Sequence, residues 1–194
     1  MKRIAHIKDS FQEHQVVLQK TENLFSQISK AVQIITRAYK NNKQTLWCGN
    51  GGSFSDCLHA VGELVSRFKL ERRALPAITL GAELATSTAI ANDYDFKNIF
   101  SRGVEAFGKK GDVLIGISTS GNSENIIQAV KQAKKQKIKT IGLLGKHGGK
   151  LKNLVDLSII IPSDNTPRIQ EMHILIIHII CELIEKTLFQ NSQR

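Results

Sequence analysis

The chain has 194 residues, 41% apolar and 23% charged, enough for one compact domain with a real core. Its net charge of +10 admits an acidic partner, yet much of it sits in Lys131, Lys134, Lys135, Lys137 and Lys139, with no interleaved aromatics and no zinc-finger spacing. That pattern reads as a solvated helix face and its exit, argues against a nucleic-acid partner, and mildly favours a phosphorylated substrate. Cys48, Cys57 and Cys181 show neither metal-ligand spacing nor even pairing, which points to a reducing compartment. No signal peptide follows Met1-Lys2-Arg3, and the apolar run Ile174–Ile184 is short for a membrane span and broken by His178 and Glu182. A soluble, cytoplasmic protein is expected.

Helical apolar spacing runs from about 9 to 40 through Phe11, Val16, Leu18, Leu24, Ile28, Val32 and Ile35. A short buried strand follows over Lys43–Gly49, then a helix over Ser53–Arg67 and a strand over Ala77–Leu80. Helices are predicted around Leu84–Ala91 and Phe96–Phe107, separated by Asn92-Asp93-Tyr94-Asp95. Strands at Val113–Ile117, Thr140–Leu144 and Leu157–Ile161 flank a helix from Glu124, and a last helix spans Thr166–Leu188. Short, almost continuous apolar runs suit parallel strands covered on both faces. The alternation predicts an open, doubly wound α/β sheet in one domain over 1–194, with a helical region at 1–40 and the α/β core at 41–194.

In such sheets ligands lie beyond the carboxyl ends of the strands. There the chain places Ser118-Thr119-Ser120-Gly121-Asn122-Ser123, four hydroxyls and a glycine between a strand and a helix. A helix N-terminus offers unpaired N–H groups and a positive dipole end, the hydroxyls add donors, and Gly121 allows a tight turn. The run reads as a cradle for a phosphate monoester; an ordinary capped turn needs fewer hydroxyls. Cys48-Gly49-Asn50-Gly51-Gly52-Ser53 is a second glycine-rich strand-to-helix turn, without a dinucleotide fingerprint. Gly145–Lys150 lacks the Walker spacing and, like the preceding loop, is by itself a turn.

His59 and Glu63, four apart on the helix leaving the first glycine loop, differ by about 40° and share a face. Gln170 and His178 are two turns apart on the last helix, among isoleucines and leucines. Separately these are a surface pair and a satisfied core histidine. Together two His, one Glu and one Gln make an N/O ligand set for a divalent metal of tetrahedral tendency.

Gly49-Asn50-Gly51-Gly52-Ser53 with Asp56, His59, Glu63-Leu64 and Arg67 resembles the first motif of the bacterial sedoheptulose 7-phosphate (phosphoheptose) isomerases. Asn92-Asp93, Gly116–Ser123 and Arg168-Ile169-Gln170-Glu171-Met172-His173 through His178 match the remaining motifs in order, so the resemblance covers nearly the whole chain. It implies the sugar-isomerase (SIS) fold: a flavodoxin-like three-layer sandwich on a five-stranded parallel sheet, with N-terminal helices extending from it. It also implies a homotetramer with sites between subunits. Ser118, Thr119, Ser120 and Ser123 would bind the 7-phosphate. Asn50, Gly51, Gly52, Asn92 and Asp93 would hold sugar hydroxyls. His59, Glu63, Gln170 and His178 would bind one zinc per subunit, with Glu63 and Gln170 also reaching substrate.

The implied reaction converts sedoheptulose 7-phosphate into D-glycero-D-manno-heptose 7-phosphate, the first step toward lipopolysaccharide or capsule heptose. Moving a proton between C1 and C2 through a cis-enediol needs a carbon base and a group for the oxyanion. Glu63 is expected as the base and His178 as the group on the oxygen proton or the opposite face; a zinc-bound carboxylate would be a weaker base. Pro167 stands where some members of the family carry a substrate-facing Asp, so one carboxylate contact is absent. Gly62 sits mid-helix at a cost of about 1 kcal/mol relative to Ala. The rival is a non-catalytic relative that binds the bacterial replication initiator protein, similar over Pro162–His173. It lacks the equivalents of Glu63 and His178, and this chain has both. A sugar-phosphate-sensing regulator would need a DNA-binding domain ahead of residue 40, and none is read there.

Overall fold

The computed structural model describes residues 2–190. Two helices, α1 (Lys2–Thr21) and α2 (Phe25–Lys40), precede β1 (Thr45–Gly49) and α3 (Gly52–Val65). Then come β2 (Ala77–Thr79), α4 (Leu84–Asp93), α5 (Ile99–Phe107), β3 (Val113–Ser118), α6 (Glu124–Lys135), β4 (Lys139–Leu144), β5 (Leu157–Ile160) and α7 (Thr166–Phe189). The helical region expected from about 9 to 40 is two helices. A 3₁₀ turn over Glu22–Leu24 breaks it where Thr21 and Asn23, weak helix formers, adjoin. The first helix also begins earlier, at Lys2, because Ile4 and Ile7 extend the stripe of Phe11.

The five strands form one parallel sheet in the order β2-β1-β3-β4-β5, as the apolar runs required. Every residue of β1 and β3 is buried. Alternation along the strands splits the core into two layers. Trp47, Ile115, Ile141, Leu143 and Ile159 pack on one face with Ile35 of α2, Leu64 of α3 and Ile176, Ile180 and Ile184 of α7. Leu46, Leu114 and Leu144 face Phe100 and Val104 of α5 and Ile126 and Val130 of α6. A fully buried side chain of this kind contributes roughly 1.5–3 kcal/mol. Register follows: Leu46 lies beside Leu114, and Ile115 beside both Trp47 and Ile141.

The cysteines are buried and free. Burial pushes the Cys48 thiol up to about 12, which leaves it protonated and unsuited to metal binding. The five lysines at the α6 exit are all solvent-exposed. Among the described residues no helix is long and apolar enough to cross a membrane.

His173 is fully buried where α7 crosses the end of β4, with Nε2 3.0 Å from the Leu144 carbonyl, to which it donates. Its Nδ1 has no partner. Burial pushes the ring down to about 4, against the opposing effect of the Leu144 bond. In the unfolded chain the ring titrates near its ordinary value of 6.5, so between pH 6.5 and 4 only the unfolded state binds the proton. Stability therefore holds above pH 6.5 and falls as pH drops through that window, by roughly 3 kcal/mol from this group. Urea unfolding at a series of pH values should show the loss in wild type. The slope across this window should flatten in His173→Gln; an unchanged slope would assign the acid sensitivity elsewhere.

Candidate active site

The strand order 2-1-3-4-5 reverses direction between β1 and β3, and α3 and α6 start there, at the carboxyl ends of those strands. Neither N-cap residue, Gly51 or Ser123, caps its helix with a side chain, and Asn125 Oδ1 accepts the Ile126 N–H of α6 at 3.0 Å. The two loops are tied together: Asn50 Nδ2 donates to Asn125 Oδ1 at 3.0 Å, and Asn125 Nδ2 donates back to Asn50 Oδ1 at 2.8 Å. In the serine loop, Ser118 Oγ and Ser123 Oγ lie 3.0 Å apart, and Gly121 N–H donates to Ser118 Oγ at 3.1 Å. Asn122 N–H donates to Ser120 Oγ at 3.2 Å. Gly121 takes φ +67°, and a Cβ there would overlap the Gly148 carbonyl, so the turn admits only glycine. Ser118 is buried, while Thr119, Ser120 and Ser123 are half-buried and open toward the crevice. The result is a cluster of hydroxyls at the start of a helix, suited to a dianionic phosphate.

Helices α3 and α7 run parallel beside one another. Their contacts fall in the same order along both: Gly52 with Gln170, His59 with His178, and the loop after α3 with Glu182 and Glu185. On α3 the stripe Gly52, Asp56, His59 and Glu63 has the i, i+4, i+7, i+11 spacing of one face. His59 Nε2 lies 3.1 Å from Glu63 Oε1 and 3.2 Å from His178 Nε2. The His178 ring is edge-on to His59, with centroids 4.9 Å apart, and stacked on Phe68 at 5.6 Å. Asp56 has a buried Oδ2 without a partner. Burial pushes its carboxyl up to about 6, opposed by the nearby His59.

The helix pair is locked at its far end by a buried ion pair. Arg72 Nε lies 3.0 Å from Glu185 Oε1, with the two side chains 1% and 2% exposed. Glu185 also accepts the N–H groups of Phe68, Lys69 and Leu70 at 2.8 to 2.9 Å. Arg72 donates to the carbonyls of Glu63, Leu64, Ser66 and Arg73. The backbone of Glu63 is thus fixed from behind.

His59, Glu63 and His178 come together, and Asn50, Gly51 and Gly52 join the serine loop through Asn125. Gln170 stands apart from the three: its carboxamide lies against Gly52, where a Cβ would sit 2.6 Å from Nε2. Eight residues along α7 separate it from His178, about 12 Å of rise. Asn92 and Asp93 are exposed at the end of α4, where Asn92 Nδ2 donates to Asp93 Oδ1 at 2.9 Å, and no hydrogen bond joins them to either loop. The sequence reading assigned no role to Asn125, Phe68, Arg72 or Glu185. Asn125 was findable as a polar residue in the first turn of α6; the other three act through a loop that carries no motif.

The donor set suits a divalent cation in one respect. Two ligand atoms of a tetrahedral zinc stand about 3.3 Å apart, close to both the His–His and the His–Glu separations here. His59 Nε2 faces both His178 Nε2 and Glu63 Oε1, and with neutral rings and an ionised carboxylate a shared proton leaves one acceptor without a donor, which a cation would satisfy. The arrangement is two pairs sharing His59; among the described residues no three His, Cys, Asp or Glu side chains form a closed metal cage.

Comparison with known proteins agrees with this fold. Residues 11–145 match the family model of the SIS domain. The chain is 55% identical over 185 residues to the phosphoheptose isomerase of Clostridium acetobutylicum, covering 95% of this chain and 94% of that one. The solved phosphoheptose isomerase of Francisella tularensis superposes with a TM-score of 0.93 at 37% identity, over 96% of this chain and all (100%) of that one. The Neisseria gonorrhoeae enzyme gives 0.90 at 38% identity, over 94% and 98% of the two chains. The chain belongs to the phosphoheptose isomerase family of SIS-domain proteins.

Proposed function

We propose that this protein isomerises sedoheptulose 7-phosphate to D-glycero-D-manno-heptose 7-phosphate in the cytoplasm, supplying heptose for lipopolysaccharide or capsule. The observation that carries the reading is the convergence of Glu63 and His178 on His59. A purely binding relative has no use for a carboxylate and an imidazole held in that way. Family membership and the serine cradle support the same substrate class, a phosphorylated sugar. The seven residues from Gly52 to His59 give about 10 Å of helix rise, a distance that a seven-carbon chain with a terminal phosphate spans.

Bound with its phosphate among Ser118, Thr119, Ser120 and Ser123, the ketose would present C1 and C2 to the His59 end of the stripe. Glu63 takes the proton from C1 and returns it at C2, and His178 passes the hydroxyl proton between the adjacent oxygens. Asn50 and the Gly51–Gly52 backbone hold hydroxyls along the chain, with Gln170 beside them. Asn92 and Asp93, exposed and remote within one chain, would contact sugar from a neighbouring subunit. His59, Glu63 and His178 would hold zinc, which when bound supplies Lewis-acid polarisation of the carbonyl, while Gln170, expected as a fourth ligand, lies at Gly52, too far from the three to share the same ion within one chain.

The surface supports a homotetramer. Ile4, Ile7 and Phe11 on α1 are 62%, 56% and 71% exposed, and α4 buries no residue at all. The stripe Ile28, Val32 and Ile35 lies inside the chain, in the core beside α7, and is not free for such a contact. Two separate uncovered patches suit two kinds of two-fold contact.

Incubation with sedoheptulose 7-phosphate, followed by NMR, should show aldose formation. Zinc-supplied protein that turns nothing over but binds the initiator protein would overturn the reading. Glu63→Gln should lower kcat by about 10²–10⁴-fold. Ser120→Ala should raise KM more than it lowers kcat, because a phosphate contact is shared by ground and transition states. Metal analysis of protein purified without chelators should give close to one zinc per chain, lost in His59→Ala and in His178→Ala; stoichiometric metal in the double variant would remove the site. Light scattering should report about four times the chain mass of 21.6 kDa, and an active monomer at assay concentration would remove the shared-site arrangement.

A further inference from the structure

We propose that Phe68 is a positioning residue for His178, fixing the imidazole plane so that Nε2 meets His59. Centroids of the Phe68 and His178 rings lie 5.6 Å apart with planes inclined by 25°, an offset stack. The His59 ring meets His178 edge-on, at 4.9 Å and 62°. The imidazole of His178 thus packs against two rings at once, and its plane is set by the stack on Phe68 together with the edge contact to His59.

Phe68 is itself anchored. Its N–H donates to Glu185 Oε1 at 2.8 Å, and the next two N–H groups donate to Oε2 of the same carboxylate. Lys69 adds a tie to α7 through Glu182 at 2.8 Å. Glu185 lies seven residues beyond His178 on α7, two turns along the same face. One helix therefore carries the imidazole and also grips the loop whose ring sets that imidazole's orientation. A connection whose only task was to lead from α3 to β2 would need neither a buried carboxylate under three successive amides nor an aromatic turned onto a site histidine.

Phe68→Leu keeps apolar volume and removes the π face; Phe68→Tyr keeps both. In metal-free wild-type protein the His178 ring protons should be shifted by the Phe68 ring current, a shift lost in Phe68→Leu and retained in Phe68→Tyr. The kinetic arm rests on the isomerase reading. There Phe68→Leu should lower kcat about 10- to 100-fold, the order expected of a misplaced catalytic group, with KM unchanged and with Tyr restoring the rate. In a His178→Gln background the same Leu change should add no further loss, because the group it positions is gone. An equal fold-loss in that background, or a Leu variant with full kcat and unshifted His178 resonances, overturns the proposal. Should the Leu variant fail to fold, the wild-type spectrum decides, since His178 protons at ordinary imidazole positions overturn it. Wild-type protein without turnover would overturn the isomerase reading and leave the ring-current shift to decide the placement of Phe68.

Discussion

The buried pair of Arg72 and Glu185 sets the register between α3 and α7, and the candidate active site exists only in that register. Taking two charges out of water costs several kcal/mol per ion unless their bonding capacity is filled. Here it is filled: Glu185 receives three amides and a guanidinium, and Arg72 gives to four carbonyls. Burial alone would raise the Glu185 carboxyl, yet those donors hold it below the ordinary range. Removing one partner of such a pair costs about 3–5 kcal/mol, because the other charge is left buried. A slip of one helical turn would move His178 by 5.4 Å relative to His59 and dissolve the cluster.

The site divides its tasks between two kinds of scaffold. The serine-loop end rests on the sheet, where the Gly121 turn is pressed against the Gly148 backbone and the two loops are stitched by Asn50 and Asn125. Little can move there. The His59–Glu63–His178 cluster sits on two helices beside the sheet, gripped at one end by Glu185. The hydroxyl contacts assigned to Asn92 and Asp93 depend on α4, a helix with no buried residue and apolar side chains such as Leu84 left 74% exposed.

Surface and core also exchange roles relative to simple pattern reading. Ile28, Val32 and Ile35 form a helical stripe that an isolated helix would expose, but α7 covers it. The weaker stripe Ile4, Ile7 and Phe11 is the uncovered one. α1 touches the start of α7 through polar groups instead, His14 to Glu171 at 2.6 Å and Asn165 to Glu13 at 2.9 Å.

Sequence alone determined the layers, the strand assignments and the place of the hydroxyl-rich loop. Each follows from short-range rules: continuous apolar runs suit a doubly covered parallel sheet, and a run of hydroxyls with a glycine between strand and helix marks a tight polar turn at the strand's carboxyl end. It also determined that His59 and Glu63 share a face, since four residues nearly complete a helical turn. Tertiary structure decided what depends on the lateral packing of distant segments. It placed His178 on His59 across 119 positions of chain and left Gln170 at Gly52, two turns away. It broke the first helix at Glu22–Leu24, and it gave Phe68, Arg72 and Glu185 their work. No spacing rule reaches that far, because the order of contacts between two parallel helices is fixed by a buried ion pair whose members are 113 residues apart and belong to no local pattern.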